Sequence, residues 1–303
     1  MTHIFIVNPY AGKNNFSDDL RSKLKRIEGL NYFVFNSRYE GYEVEMVKRV
    51  RRIFQGEKLR FYCCGGSGTM RNMLNGFDSF DDVEIAFYPC GLTNDFLKVF
   101  GEREKLFYNI EELINGEVMD IDYIKSNYGV ALNTLSAGLD AYSQSRMEDY
   151  RVLTMFSRQL PYSISLLGSV LFSKSTKFNI TVDDEEITDT FTELCFANGF
   201  VLGGGIFYDT GADIQDGKGV YGLTRSNSVI KRIKTFLAMT GADFEKADKE
   251  MYRGYSKGIT IQKTDGTPFV INHDGELIRD VTKVEAHIVR KGLHFVVPKG
   301  VKL

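Results

Sequence analysis

An α/β domain built on a parallel sheet, followed by a mostly β, sandwich-like domain with helical insertions, is the fold class that this sequence predicts. Three observations predict it. Before Asp122 the chain alternates short apolar runs with amphipathic, helix-patterned runs, which implies a parallel sheet with ligands at the carboxyl ends of its strands. After Asp122 the pattern changes to many short β-rich runs. The 303 residues are enough for two ordinary domains.

The elements of the first domain follow in order. The run HIFIVNP (3–9) is a strand stopped by Pro9. SDDLRSKLKRIEGL (17–30) is a helix with Ser17 as N-cap, acids early and bases late, which suits the helix dipole. NYFVFNS (31–37) is a second strand. YEVEMVKRVRRIFQ (42–55) is a helix with Val44, Val47, Val50 and Phe54 on one face. LRFYCCGG (59–66) is a third strand and MRNMLNGF (70–77) a helix. EIAFYPCG (84–91) is a fourth strand and NDFLKVFG (94–101) a short helix.

The β-rich runs of the second domain are YGVALNTLSAG, KFNITVD, TELCFANGF, GVYGLTR, GITIQKT, PFVINHDGE and KVEAHIVRKGLHFVVP. Two helical stretches interrupt them, one over 147–173 broken at Pro161, the other NSVIKRIKTFLAMTG (227–241). The domains are therefore 1–122 and 123–303, and the extreme C-terminus can return to the first. The sequence contains no repeat and no low-complexity segment.

Composition is that of a soluble globular protein, 43% hydrophobic and 26% charged. A formal net charge of −2 gives no overall attraction to nucleic acid or to an anionic membrane. Cys63, Cys64, Cys90 and Cys195 lack zinc-type spacing; buried free thiols in a reducing compartment are expected. The apolar part of MTHIFIVNPYAGKNN is too short for a signal peptide and reads as a strand. The longest apolar run, YSISLLGSVLF (162–172), is about half a membrane span. A cytoplasmic protein that is not integral to a membrane is expected.

Four segments can carry chemistry. VNPYAGKN (7–14) ends the first strand, with Asn8 offering an amide and Gly12 allowing close approach. GGSGT (65–69) puts three glycines in four residues ahead of a helix N-terminus, so backbone amides can face an anion without a lysine. PCGLTNDF (89–96) places Asn94 and Asp95 where a helix begins; they read either as capping residues or as help for a hydrated Mg²⁺. In INHDGEL (271–277), Asp274 and Glu276 would share a face in a strand. Two neighbouring carboxylates repel, which favours one as a general base; a turn at Asp274-Gly275 is the alternative.

Taken in order, these pieces resemble the diacylglycerol kinase-type lipid kinases, which include bacterial lipid kinases and, more distantly, sphingosine and ceramide kinases. GGSGTMRNMLNG is similar to the family's glycine loop, Gly-Gly-Asp-Gly-Thr followed by a helix ending in Asn-Gly. NPYAG resembles Asn-Pro-x-Ser-Gly, and PCGLTNDF resembles Pro-x-Gly-Thr-x-Asn-Asp-Phe. NTLSAGLDA (133–141), FANGFVLGGGIFYDTGADIQDG (196–217) and INHDGE resemble second-domain signatures. The resemblance covers nearly the whole chain.

The resemblance implies a NAD kinase/diacylglycerol kinase-like fold with the active site in the cleft between the domains. It also implies transfer of the γ-phosphate of ATP, with Mg²⁺, to a lipid hydroxyl such as that of diacylglycerol. By resemblance, Gly65, Gly66, Ser67, Gly68, Thr69, Met70 and Arg71 form the phosphate loop. Asn8, Gly12, Ser37, Thr93 and Asn94 support the nucleotide. Asp95 and Asp122 belong to an acidic network around the catalytic Mg²⁺. Asp213, Asp216 and the carbonyl of Lys218 occupy the place of a structural Mg²⁺ site. Glu276, with Asp274 beside it, accepts the proton of the lipid hydroxyl. The implied partners are a lipid substrate with transient contact at the membrane periphery and a second copy in a homodimer, with no nucleic acid. The apolar stretch 160–172 could line or gate the lipid's site.

Two departures fall in the nucleotide motifs. Ser67 stands where the family has aspartate, and Leu92 where it has threonine. The alternatives are a catalytically weak nucleotide- or lipid-binding homologue, or a kinase of the same fold with a non-lipid acceptor. NAD kinases share a related glycine loop, but INHDGE and NTLSAGLDA favour the lipid branch.

Overall fold

The structure is a computed structural model that describes residues 1–11, 16–91, 94–146, 160–172, 174–203, 205–225 and 228–303. The chain divides into two compact units, Met1–Asp122 with Arg290–Leu303, and Tyr123–Val289.

The first unit contains β1 (Thr2–Val7), α1 (Phe16–Leu24), β2 (Tyr32–Asn36), α2 (Tyr42–Ile53), β3 (Leu59–Gly65), α3 (Ser67–Leu74), β4 (Val83–Pro89) and α4 (Ile110–Ile114). β5 (Glu117–Ser126) begins in it and ends in the second unit. The second unit continues with β6 (Gly129–Ala131), β7 (Thr134–Gly138), α5 (Leu139–Arg146), α6 (Leu160–Phe172), β8 (Thr176–Val182) and β9 (Glu185–Ala197). Then come β10 (Val201–Leu202), β11 (Ile206–Phe207), β12 (Gly219–Arg225), α7 (Val229–Thr240), α8 (Phe244–Ala247), β13 (Met251–Ser256), β14 (Gly258–Lys263), β15 (Phe269–His273) and β16 (Glu276–Val281). β17 (Lys283–Val297) starts in the second unit and finishes in the first.

In the first unit the sheet runs β2-β1-β3-β4 and ends on the last part of β17, with every neighbour parallel. β1, β3 and β4 are buried along their whole length, which is why their sequences read as unbroken apolar runs rather than alternating ones. All their carboxyl ends lie at one edge, where Asn8, Gly65 and Pro89 follow one another across the sheet.

The opposite ends of these strands carry a buried polar network. His3 Nδ1 lies 2.8 Å from the Tyr62 hydroxyl, and Arg60 pairs with Glu84 at 2.7 Å. Arg60 also donates to the carbonyls of Leu113, Ile114 and Gly116 at the end of α4, placing a cation at a helix C-terminus. Burial first, and then the Arg60 charge, lowers the His3 pKa from 6.5 to about 4. The folded state thus resists a proton that the unfolded chain accepts. The contribution of this site is fully present above about pH 6.5 and is lost as pH falls toward 4. Urea unfolding at pH 7 and at pH 4.5 should show wild type losing about 2–3 kcal/mol more than His3→Gln over that interval.

In the second unit an antiparallel path runs β16-β15-β7-β9-β8-β14-β17, with β12 between β9 and β13 and a β5–β6 hairpin. One apolar core gathers Phe178, Phe191, Phe196 and Phe269 with Ile259, Ile261, Ile271, Val281, Val284 and Ile288 of β14–β17. A second gathers Leu202, Tyr208, Val220, Met239 and Met251.

Several elements differ from the expectations. α1 ends at Leu24, because Arg26 and Ile27 bond to the third residue back and Gly29 takes φ +72°. α3 begins at Ser67, so the glycine loop is itself the helix N-terminus. In place of a short helix after Asn94 there is a 3-10 stretch, Asp95–Tyr108, broken at Gly101 (φ 57°). α6 begins at Leu160, which puts Pro161 in its first turn. The expected helix over 147–159 lies outside the described residues. Asp274 (φ 52°) and Gly275 (φ 90°) form the two-residue turn of the β15–β16 hairpin, in which His273 faces Glu276. Asp274 and Glu276 are therefore not neighbours on one face of a strand.

Candidate active site

In the first unit the site is built on the uncapped start of α3. Its N-cap is Gly66, which offers no side chain to the helix amides; the first helical bond is Met70 N–H to the Gly66 carbonyl at 3.0 Å. The amides before it are donors with no partner inside the helix, and the helix dipole adds partial positive charge there. A Cβ at Gly68 would meet nothing within 4 Å, so the space in front of the turn is open. A Cβ at Gly65 would lie 2.5 Å from the Thr69 side chain, which packs back over the strand end. Asn8 Nδ2 donates to Thr69 Oγ1 at 3.0 Å, and Asn8 Oδ1 accepts the Tyr10 amide at 3.0 Å. Asn8 thus ties the end of β1 to the first turn of α3.

The loop after β4 lies directly against this one. The Cys90 amide donates to the Gly65 carbonyl at 2.7 Å. A Cβ on Gly91 would come 2.7 Å from Gly66 Cα and 2.8 Å from Asn94 Oδ1. Gly91→Ala should therefore push the two loops apart, an overpacking of roughly 1–3 kcal/mol. If the loop holds the nucleotide as the resemblance implies, binding of a fluorescent ATP analogue should weaken about tenfold, with the far-UV circular dichroism unchanged.

Asn94 sits at φ 44° with Nδ2 donating to the Gly91 carbonyl and the Tyr108 hydroxyl, while its buried Oδ1 has no partner. Asp95 is buried, and its Oδ1 is 3.0 Å from Lys98 Nζ. Among the described residues no group of three or more His, Cys, Asp or Glu side chains could hold a metal. One carboxylate, one orphaned amide oxygen and a row of backbone donors fit phosphates and a Mg²⁺ that keeps most of its waters. They do not make an all-protein metal cage.

Other residues of the first unit are placed as follows. Met70 is buried, so only its backbone can reach a ligand. Arg71 is buried, with Nη1 3.1 Å from Asn72 Oδ1. The Ser37 hydroxyl donates to Glu43 Oε1 at 2.5 Å; both residues are buried. Asp122 is fully buried on β5, and its Oδ1 accepts the Lys291 amide at 2.6 Å. Gly12 and Thr93 lie outside the described residues, as does Leu92. The Cys90 thiol, which follows β4, is pushed far up by burial and is no nucleophile at neutral pH.

In the second unit the hairpin turn before Glu276 is braced on all sides. The Asp274 carboxylate accepts the amides of Leu132, Asn133 (3.1 Å) and Thr134 (2.7 Å), the first of these through a short contact. Its own amide donates to the Thr134 carbonyl at 3.0 Å. Asn272 Oδ1 accepts the Gly275 amide at 2.8 Å, and Asn272 Nδ2 donates to Asp140 Oδ2 at 2.6 Å. The Ser136 hydroxyl donates to the same Asp140 oxygen at 2.6 Å. Glu193 Oε2 accepts the Asp140 amide at 2.9 Å, capping α5 from β9. Burial, then the nearby Asp140, raises the Glu193 carboxyl well above its usual range. Glu276 is half-buried at the start of β16, directly after this turn.

Asp140, Asn272 and Glu193 were absent from the expected site. Asp140 and Asn272 stand inside the NTLSAGLDA and INHDGE runs, so the sequence held a signal for them. Glu193 had none, because its role is a tertiary cap. Asp213 and Asp216 are exposed and accept the amides of Gln215 (2.9 Å) and Lys218 (2.8 Å) in local turns. A cavity of about 590 Å³ opens in this unit, lined by Phe172, Phe178, Phe191, Phe269 and Lys174 among others. The stretch 160–172 thus supplies Phe172 to it.

Comparisons with known proteins bear on both units. Residues 2–126 match the family model described as "Diacylglycerol kinase catalytic domain". Residues 133–297 match that described as "YegS C-terminal NAD kinase beta sandwich-like domain". The Bacillus subtilis (strain 168) protein "Putative lipid kinase YtlR" is 25% identical over 297 residues, covering 92% of this chain and 94% of its own. The Staphylococcus aureus (strain N315) protein "Putative lipid kinase SA0681" is 26% identical over 227 residues, covering 71% of this chain and 70% of its own. Among solved structures, a "putative diacylglycerol kinase" from Bacillus anthracis str. Sterne superposes with a TM-score of 0.75 at 18% identity, covering 99% of this chain and 96% of that one. The fold is thus a parallel α/β unit and a β-rich NAD kinase-like sandwich. No described helix is long and apolar enough to cross a membrane.

Proposed function

The chain belongs to the diacylglycerol kinase family, pairing a catalytic domain of that kind with a YegS-type C-terminal domain, and on that premise we propose that it transfers the γ-phosphate of ATP to a lipid hydroxyl. The observation that carries this reading is the start of α3, uncapped at Gly66 and open at Gly68. ATP with Mg²⁺ supplies the phosphoryl group and the charge neutralisation that such transfer needs.

The chain's own residues do the rest. The amides at Ser67, Gly68 and Thr69 hold phosphate oxygens, and Asn8 fixes the turn that presents them. Asn94 and Asp95 would be the residues that hold a hydrated Mg²⁺ beside these amides. Glu276 takes the proton as the lipid oxygen forms its bond to phosphorus and the bond to the departing ADP oxygen breaks. Asp274 does not serve as a second base: its carboxylate is spent on three backbone amides and positions the turn that carries Glu276. The aromatic cavity suits the acyl chains of the acceptor.

Mg²⁺-dependent consumption of ATP, stimulated by detergent-dispersed lipid, tests this. Consumption without lipid dependence would point to a soluble acceptor, and none at all to a binding protein. Ser67 lacks the charge that would help hold the metal's waters. Ser67→Asp should therefore lower the Mg²⁺ concentration for half-maximal rate several-fold, as read from a Mg²⁺ titration at saturating ATP.

A further inference from the structure

We propose that the second unit docks on an anionic membrane through the outer faces of α6 and α7. The proposal deepens the lipid-kinase reading, on which its purpose rests, but its geometry stands independently. Five large side chains without a polar atom are exposed among the described residues of this unit: Leu167, Phe172, Val229, Ile230 and Leu237. All five lie on these two helices. The other exposed large hydrophobic side chains among the described residues of the unit are the tyrosines 142, 252 and 255, which carry hydroxyls.

The two helices are neighbours, and their ends are tied together. Arg232 in the first turns of α7 donates to the Ser175 hydroxyl at 3.3 Å, just beyond the end of α6. This brings Phe172 and Lys174 to the end of α7 that carries Val229 and Ile230. Phe172 is 76% exposed and Ile230 67%. Along α7 the outward stripe is Ile230, Lys234 and Leu237, spaced i, i+4, i+7, while Thr235, Ala238 and Met239 are buried behind it. Neither helix contains an acidic residue. Lys174 and Lys234 are exposed cations, and Lys231 shares its charge with Glu250 at 2.9 Å.

An apolar stripe interleaved with lysines matches the boundary between anionic headgroups and acyl chains, where apolar area and cation attraction add. A protein partner would have to bring its own acids to the lysines. Phe172 and Lys174 also line the 590 Å³ cavity, so the face and the cavity share residues, and a docked lipid would meet the cavity at Phe172.

The test is sedimentation of the full chain, without ATP, with vesicles of phosphatidylcholine alone or mixed with phosphatidylglycerol. Binding is expected to the mixed vesicles and to weaken as salt rises. Lys234→Glu should weaken it by about fivefold or more, since each cation near such a surface is worth about a factor of five. Ile230→Asp/Leu237→Asp should abolish it, while Ile53→Asp, at an exposed apolar position of the first unit, should not. Phosphorylation of detergent-dispersed lipid should be unchanged in all of these variants. Vesicle binding that ignores the α7 substitutions, or no binding by wild type, overturns the proposal. So does a dimer that the α7 substitutions dissolve, which would make the face a protein interface. Vesicle binding lost only in the α7 variants, in a protein that phosphorylates no lipid, supports docking while removing the kinase reading.

Discussion

Glu276→Gln should lose about 10²- to 10⁴-fold in kcat for lipid phosphorylation while its affinity for ATP stays within twofold of wild type. The substitution keeps the size and the hydrogen-bonding reach of the side chain and removes its basicity. Glu276 is the first residue of β16, set by a turn that the rest of the unit holds rigid. In the proposed reaction Glu276 serves the acceptor hydroxyl, so the loss belongs in kcat rather than in nucleotide binding. Steady-state kinetics with detergent-dispersed lipid, alongside ATP titrations, separates the two. An unchanged kcat would assign the proton to another acceptor and leave Glu276 as a strand residue.

Asp274→Ala should have the largest effect on stability. It removes the acceptor of three buried amides, and nothing else in the turn replaces it. Bonds to an ionised acceptor and stranded buried N–H groups together put the cost at about 3–5 kcal/mol. Thermal unfolding of the full chain should move down by on the order of 10 °C. Asp274→Asn, which keeps the acceptor oxygen but not the charge, should recover part of this. Both variants should lose lipid phosphorylation, because the turn that aims Glu276 loosens, yet bind ATP normally. If Asp274→Ala unfolds at the wild-type temperature but has no activity, Asp274 acts on the substrate and the positioning role assigned to it is wrong.

The two carboxylates show what the sequence could and could not convey. Their spacing, one residue apart, suggests a shared face if the run is a strand. Gly275 between them instead allows a two-residue turn, and the positive φ of both turn residues separates their directions. The partners of Asp274 lie some 140 positions earlier in the chain, beyond the reach of any local pattern. The same holds for Glu193, which caps α5 from another strand. α5 itself was missed because LDAYSQSR carries little amphipathic signal and takes its N-terminal cap from outside. By contrast, the parallel strands were readable because both faces are buried and their sequences are uniformly apolar. The glycine loop was readable as a tight strand-to-helix turn because close contacts between Gly66 and Gly91, and between Gly65 and the Thr69 side chain, leave no room for a Cβ. The 3-10 stretch from Asp95 was not, since its sequence suits an α-helix until Gly101 breaks it.

The central claim is tested most directly by incubating the protein with γ-labelled ATP, Mg²⁺ and a panel of detergent-dispersed lipids, beside Glu276→Ala. One labelled lipid product is expected, dependent on Mg²⁺ and absent with Glu276→Ala. Label released only as inorganic phosphate, or a labelled lipid that persists in Glu276→Ala, would contradict it.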